Sequence, residues 1–154
     1  MKTTSKTLSL FLLILLAFCS LKCEFNSNEK IALKDLTGQW LEQENPDKIQ
    51  FSGSNYHFEI LEDHTFRLKL RHWTDVIDPN SSCANNRIDY IKGTFEITDN
   101  LIKFIGLFSD ESFEKEQVNC KGEGTFTFES EVQFKEDALL MTDPNGQRIR
   151  MIRP

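Results

Sequence analysis

After Leu36, apolar residues recur at alternate positions to the C-terminus, and that period of two predicts an antiparallel β-domain. The run 55–61 alternates Tyr56, Phe58 and Ile60 with His57 and Glu59. The run 65–73 alternates Phe66, Leu68 and Leu70 with Arg67, Lys69 and Arg71. Folded about Glu62-Asp63-His64, these runs set Ile60 opposite Phe66, Phe58 opposite Leu68 and Tyr56 opposite Leu70. Glu59 then meets Arg67 on the other face, so one register suits both faces.

A second hairpin follows the same logic. Asp99-Asn100 suits a two-residue turn, because both residues tolerate positive φ. Ile97 then meets Ile102, Phe95 meets Phe104, Ile91 meets Phe108, and Glu96 meets Lys103 outside. Ile88 and Tyr90 fall on the opposite parity to Ile91, which predicts a bulge near Tyr90-Ile91, with Gly93 helping the strand bend. Further on, Phe126, Phe128, Val132 and Phe134 share one parity, and Lys135-Glu136-Asp137 forms a turn. Asp143-Pro144-Asn145-Gly146 is a strong turn signal that places Leu140 opposite Ile149 and Ala138 opposite Met151. With Gly38–Gln43 as the first strand, the count comes to about eight. Short links between alternating strands predict an all-β, eight-stranded antiparallel up-and-down barrel, which hides its edges by closing. A two-sheet β-sandwich is the alternative.

The N-terminus reads differently. Lys2 and Lys6 precede an apolar run, Leu8 to Phe18, broken only by Ser9. Its 11 residues fall short of the ~20 that span a bilayer, so residues 1–23 read as a signal peptide or lipoprotein leader. Residues 24–35 form a polar linker and a short helix through Ile31 and Leu33, capped by Asn26 with Glu29. There are four cysteines, Cys19, Cys23, Cys83 and Cys120. Lipidation at Cys23 would leave Cys83 and Cys120 as an even pair, whereas cleavage after Cys19 leaves an odd number. A lipid-anchored and a freely secreted form both stay open, because Lys22 is not the small residue that a lipoprotein signal normally carries there. In an oxidising compartment Cys83 and Cys120 are expected to form a disulfide, worth about 4 kcal/mol in the chain-entropy model. Neither has a second Cys or a His at metal-ligand spacing.

Charge narrows the partners. The leader holds Lys2, Lys6 and Lys22 and no acid, so 24 acidic residues face 15 basic ones in the remainder, a formal charge of −9. Such a domain repels phosphate backbones and anionic lipid, which argues against nucleic acid and limits membrane contact to a lipid anchor.

Catalytic signals are weak. No G-x-S-x-G, H-E-x-x-H, P-loop or C-x-x-C is present, so no enzyme activity and no cofactor are expected. His57 faces outward opposite Lys69, His64 lies in a turn, and His72 points inward near a strand end. Asp110, Glu111, Glu114 and Glu116 sit in a loop without calcium-ligand spacing, so no metal site is expected.

Gly38-Gln39-Trp40 at the start of the first strand, after a short helical lead-in, resembles the lipocalins and their small bacterial relatives. The resemblance implies that residues 36–154 form a lipocalin-like β-barrel. It implies that Trp40 closes one barrel end and that an Arg of the last strand packs across it. Arg150 and Arg153 are the candidates, and Arg153 shares a face with Ile149 and Met151. The chain departs from the family in ending at Pro154, where a long helix usually follows.

The interior suggests a ligand. Of 13 Phe, most of those in strands take the inward parity. Small barrels either fill with side chains or hold one small molecule. A cavity would be lined by Tyr56, Phe58, Leu70 and His72 on one hairpin and by Phe95, Phe104 and Phe128 beyond it, and would suit an apolar or aromatic molecule. The alternative is a surface or periplasmic protein-interaction module with a filled core. Its contacts would use an outward stripe of Leu101, Ile105, Leu107, Leu139 and Met141, unless the lead-in covers that stripe. The 75–86 connection, tied by Cys83, is a second contact candidate, and Asn80-Ser81-Ser82 within it is a glycosylation sequon.

Overall fold

The structure, a computed structural model, describes residues 30–43, 52–76, 83, 86–143 and 146–154. Within them one helical turn, α1 (Leu33–Leu36), leads into nine strands. These are β1 (Gly38–Glu42), β2 (Ser52–Ile60), β3 (Thr65–Thr74), β4 (Asn86–Thr98), β5 (Leu101–Ser109), β6 (Thr125–Glu131), β7 (Gln133–Lys135), β8 (Ala138–Thr142) and β9 (Arg148–Ile152). They form one antiparallel sheet in the order β6-β5-β4-β3-β2-β1-β9-β8-β7, curled into an open half-barrel. The sandwich is thereby excluded. The leader with Cys23, the Asn26–Glu29 cap and the Asn80 sequon lie outside the described residues.

The count is nine because the 125–135 run divides at Val132. Before it, β6 pairs with β5; after it, β7 pairs with β8 at the opposite edge of the sheet. A single buried residue thus carries the chain from one edge to the other. The Val132 amide bonds to the Asn100 carbonyl at 2.8 Å, and the Thr142 amide bonds to Ser130 Oγ at 2.8 Å. The two edges approach at this point, and among the described residues no ladder joins them elsewhere.

Both early hairpins take the expected registers. Ile60 pairs with Phe66, Phe58 with Leu68 and Tyr56 with Leu70, while Glu59 meets Arg67 across 3.3 Å outside. Phe95 pairs with Phe104 and Ile91 with Phe108. Left-handed residues close the turns: His64 at φ 62° and Asp99 at φ 54°.

Three expectations are corrected. First, β4 contains no bulge near Tyr90-Ile91. Its ladder with β3 runs unbroken through Leu68↔Ile91, Leu70↔Asp89 and His72↔Arg87. Arg87 and Asp89 therefore point inward, and Ile88 and Tyr90 point outward. The polar pair is tolerated inside because it bonds within a cluster, and the Phe113 ring meets Tyr90 edge-on at 5.7 Å outside. Second, β8 and β9 are offset by one residue: Leu139 pairs with Met151 and Met141 with Ile149. The Asp143 amide bonds to the Gln147 carbonyl at 2.8 Å, and Gly146 has φ 80°. The loop therefore holds three residues with a left-handed glycine, rather than two, and one residue of slip turns each side chain over. Leu139 and Met141 are accordingly core residues, 0 % and 2 % exposed, and not part of an outward stripe. Third, the described helix is the single turn Leu33–Leu36, and the described part of its lead-in, from Lys30, turns apolar side chains to the core. Ile31 and Leu33 pack against the core from one end of the half-barrel.

That end is sealed. Trp40 is buried, its Nε1 donates to the Leu36 carbonyl at 2.6 Å, and Arg153 lies over its ring at 4.5 Å. Arg153 also donates to the carbonyls of Asp35 and Thr37, at 2.8 and 3.2 Å. Gly38 permits the approach: its φ is +124°, and a Cβ there would stand 3.0 Å from the Arg153 guanidinium.

Candidate functional site

The middle of the concave face is packed. The Phe104 ring lies 4.9 Å from Phe58, 5.0 Å from Phe66, 5.7 Å from Phe95 and 6.0 Å from Phe128. Phe58, Phe95, Phe104 and Phe128 are at most 2 % exposed, so they touch almost no water-sized space. These four of the seven expected lining residues form a floor.

The other three, Tyr56, Leu70 and His72, lie toward the end away from α1, where burial falls and polarity rises. The Tyr56 ring stacks on Phe58 at 6.1 Å and leans on Phe128 at 5.7 Å. Its backbone amide donates to Glu42 Oε2 at 3.1 Å. Burial first, then the charges of Asp143 and Glu42, push the phenol up to about 12, so it stays a neutral donor.

The unbroken β4 register assembles a polar row next to these residues. Ser54, His72 and Arg87 are successive cross-strand partners on β2, β3 and β4, and Asp89 stands two residues along from Arg87. Ser54 Oγ lies 2.8 Å from His72 Nδ1, and His72 Nε2 lies 3.0 Å from Asp89 Oδ2. Arg87 Nε lies 3.4 Å from the same carboxylate oxygen. That nitrogen is enclosed and meets no hydrogen-bond acceptor at good geometry. The His72 side chain is 21 % exposed and that of Asp89 11 %.

The electrostatics define the tautomer. Burial lowers the His72 pKa from its ordinary value, and the Arg87 and Lys121 charges lower it further. The Asp89 charge and hydrogen bond oppose this without reversing it. The imidazole is therefore neutral at pH 7. Only a protonated Nε2 can donate to the carboxylate, which leaves Nδ1 to accept from the Ser54 hydroxyl. Lys121 belongs to this environment because Cys120 beside it is bonded to Cys83, with Cα atoms 5.1 Å apart.

Sequence reasoning found His72 but missed Ser54, Arg87 and Asp89. The signal was available: the register that sets Leu68 opposite Ile91 also sets His72 opposite Arg87. The expected bulge concealed it.

The remaining candidates are scattered. His57 faces outward opposite Lys69, and His64 packs its ring 5.5 Å from Phe95. The Asp110 carboxylate accepts from the Ser112 hydroxyl and the Glu114 and Lys115 amides, which organises its own loop. Among the described residues no group of three His, Cys, Asp or Glu converges on a metal position. Also among them, no helix is long and apolar enough to cross a membrane. Of the outward stripe on β5, Ile105 is 46 % exposed, while Leu101 and Leu107 are half-buried.

No protein-family model matches the chain, and no curated protein or solved structure is significantly similar to it.

Proposed function

We propose that this is an exported, lipocalin-like binding protein, secreted or anchored through Cys23, that takes a small apolar molecule at the end of the half-barrel away from α1. The observation that carries this reading is the gradient along the concave face. Four packed phenylalanines make a solid floor, and above it half-buried Tyr56 and His72 lie beside Leu70, which is only 7 % exposed, giving a surface of mixed polarity. Apolar surface with a few placed polar groups is what small-molecule sites require. The Arg153–Trp40 stack supports the lipocalin comparison, since it seals the opposite end as that family does. Because the floor is packed, the ligand would rest at this end and not enter the middle.

The test is binding of 1-anilinonaphthalene-8-sulfonate to the folded protein. Its fluorescence should rise, and Leu70→Arg should weaken binding at least about tenfold, as expected when apolar contact is replaced by a desolvated charge. A wild-type protein that binds no apolar probe and retains no small molecule in native mass spectrometry contradicts the reading.

A protein-interaction module is the second reading. The filled floor favours it, as do Val76 and Val118, which are 61 % and 64 % exposed, Val118 two residues before the bridged Cys120. If it holds, Val118→Lys abolishes capture of a partner and leaves dye binding unchanged.

A further inference from the structure

We infer that Ser54 is an activated nucleophile, and that the Ser54–His72–Asp89 chain transfers the acyl group of small, apolar carboxylic esters to water. The ester would lie on the surface proposed above for an apolar molecule, so this inference rests on that reading.

Three residues far apart in sequence, on three adjacent strands, form one continuous hydrogen-bonded chain. The hydroxyl lies 2.8 Å from one ring nitrogen, and the other lies 3.0 Å from a carboxylate. Nucleophile, base and orienting acid within such reach are the general requirement for activating a weak serine nucleophile. The ring nitrogens exchange the parts they take in the familiar serine hydrolases, with Nδ1 toward the serine, but the proton path is equivalent. Burial and the Arg87 charge keep His72 neutral, as a base must be. Arg87, 3.4 Å from Asp89, steadies the carboxylate that points the ring. The hydroxyl and the ring are half-buried and not sealed, so a substrate has access.

The step balances. Ser54 Oγ adds to the ester carbonyl carbon as its proton passes to His72 Nδ1. The bond from that carbon to the alcohol oxygen breaks, and the alcohol leaves with the proton from Nδ1, leaving the acyl group on Oγ. Water then gives a proton to Nδ1 and adds to the acyl carbon. The acid departs as Ser54 recovers its proton. Ser54 and His72 are the catalytic residues, and Asp89 is a positioning residue.

The experiment is incubation of the whole exported chain with an alkyl fluorophosphonate, read by intact mass and peptide mapping, alongside hydrolysis of p-nitrophenyl butyrate. The expected result is one phosphonyl group on Ser54, none in Ser54→Ala, and loss of ester turnover in that variant. His72→Gln should slow labelling at least about 100-fold, the scale of general-base catalysis. Asp89→Asn should slow it too, and should move the pH midpoint of labelling downward with the His72 pKa, which a purely structural role would not do. The wild-type arm decides the matter even if a variant folds poorly. No adduct on Ser54, or an adduct that forms equally fast in folded His72→Gln, overturns the inference. If the wild type binds the apolar dye but gives no adduct, acyl transfer alone fails; if it does neither, the binding reading fails as well.

Discussion

His72 is where local forces compete most directly. Its neighbours Arg87 and Lys121 disfavour a positive ring, Asp89 favours one, and partial burial tips the balance toward neutral. Single substitutions should therefore move its titration in opposite directions. Arg87→Met removes a positive neighbour and should raise the His72 pKa toward 6.5. Asp89→Asn removes the one opposing charge and should lower it further. NMR titration of the ring protons reads both; a shift of the same sign in the two variants contradicts the assignment. The sign carries to stability. The folded pKa lies below the unfolded one, so between them the unfolded chain binds more protons, and stability falls as pH drops through that window. At the sealed end Trp40 is nearly fully buried and stacked under Arg153. Trp40→Ala should cost about 3–5 kcal/mol in chemical denaturation, the range for deleting a large core aromatic.

At the scale of elements, strand pairing follows from turns of defined length. Gly93 and Gly106 face each other across β4 and β5, and a Cβ on Gly93 would collide with the Ile105 carbonyl oxygen. Gly93→Ala should thus destabilise by about 1–3 kcal/mol through overpacking, measured by urea denaturation; an unchanged midpoint would mean that the strands are not so close. Much of this layer was legible in the sequence. The β2–β3 and β4–β5 registers follow from alternation and a short turn, because neighbours in sequence become neighbours in the sheet. Two failures have definite causes. The N-terminal half of β4 was misread because Arg87 and Asp89 look like surface residues until His72 and each other supply their partners. The β8–β9 register was misread because the turn motif does not by itself distinguish a two-residue loop from a three-residue loop, and one residue reverses inside and outside. The polar row was invisible for a related reason: it depends on three strands being in register at once.

On the scale of the whole molecule, a sheet that curls until its edges approach gives one face to a common core and leaves the two ends chemically different. One end is closed by α1, Trp40 and Arg153; the other carries Tyr56, Leu70 and the polar row. The Cys83–Cys120 bond, spanning 37 residues, ties the 110–124 loop to the connection after β3 near that second end. Replacing both cysteines by serine should cost about 2–5 kcal/mol in thermal or chemical unfolding. The change should also weaken dye binding, because Lys121 and its turn lose their tether. Unaltered binding would show that the loop takes no part in the site. The difference between the ends is also what makes a single-site reading possible in a protein whose centre is filled.

Amide chemical-shift mapping by NMR, during titration with 1-anilinonaphthalene-8-sulfonate, tests the account most directly. The account predicts saturable shifts grouped at Ser54, Tyr56, Leu70, His72 and Asp89, with Trp40 and the outer face of β5 unmoved. Shifts grouped instead around Ile105 and Val118, or none at all, would contradict it.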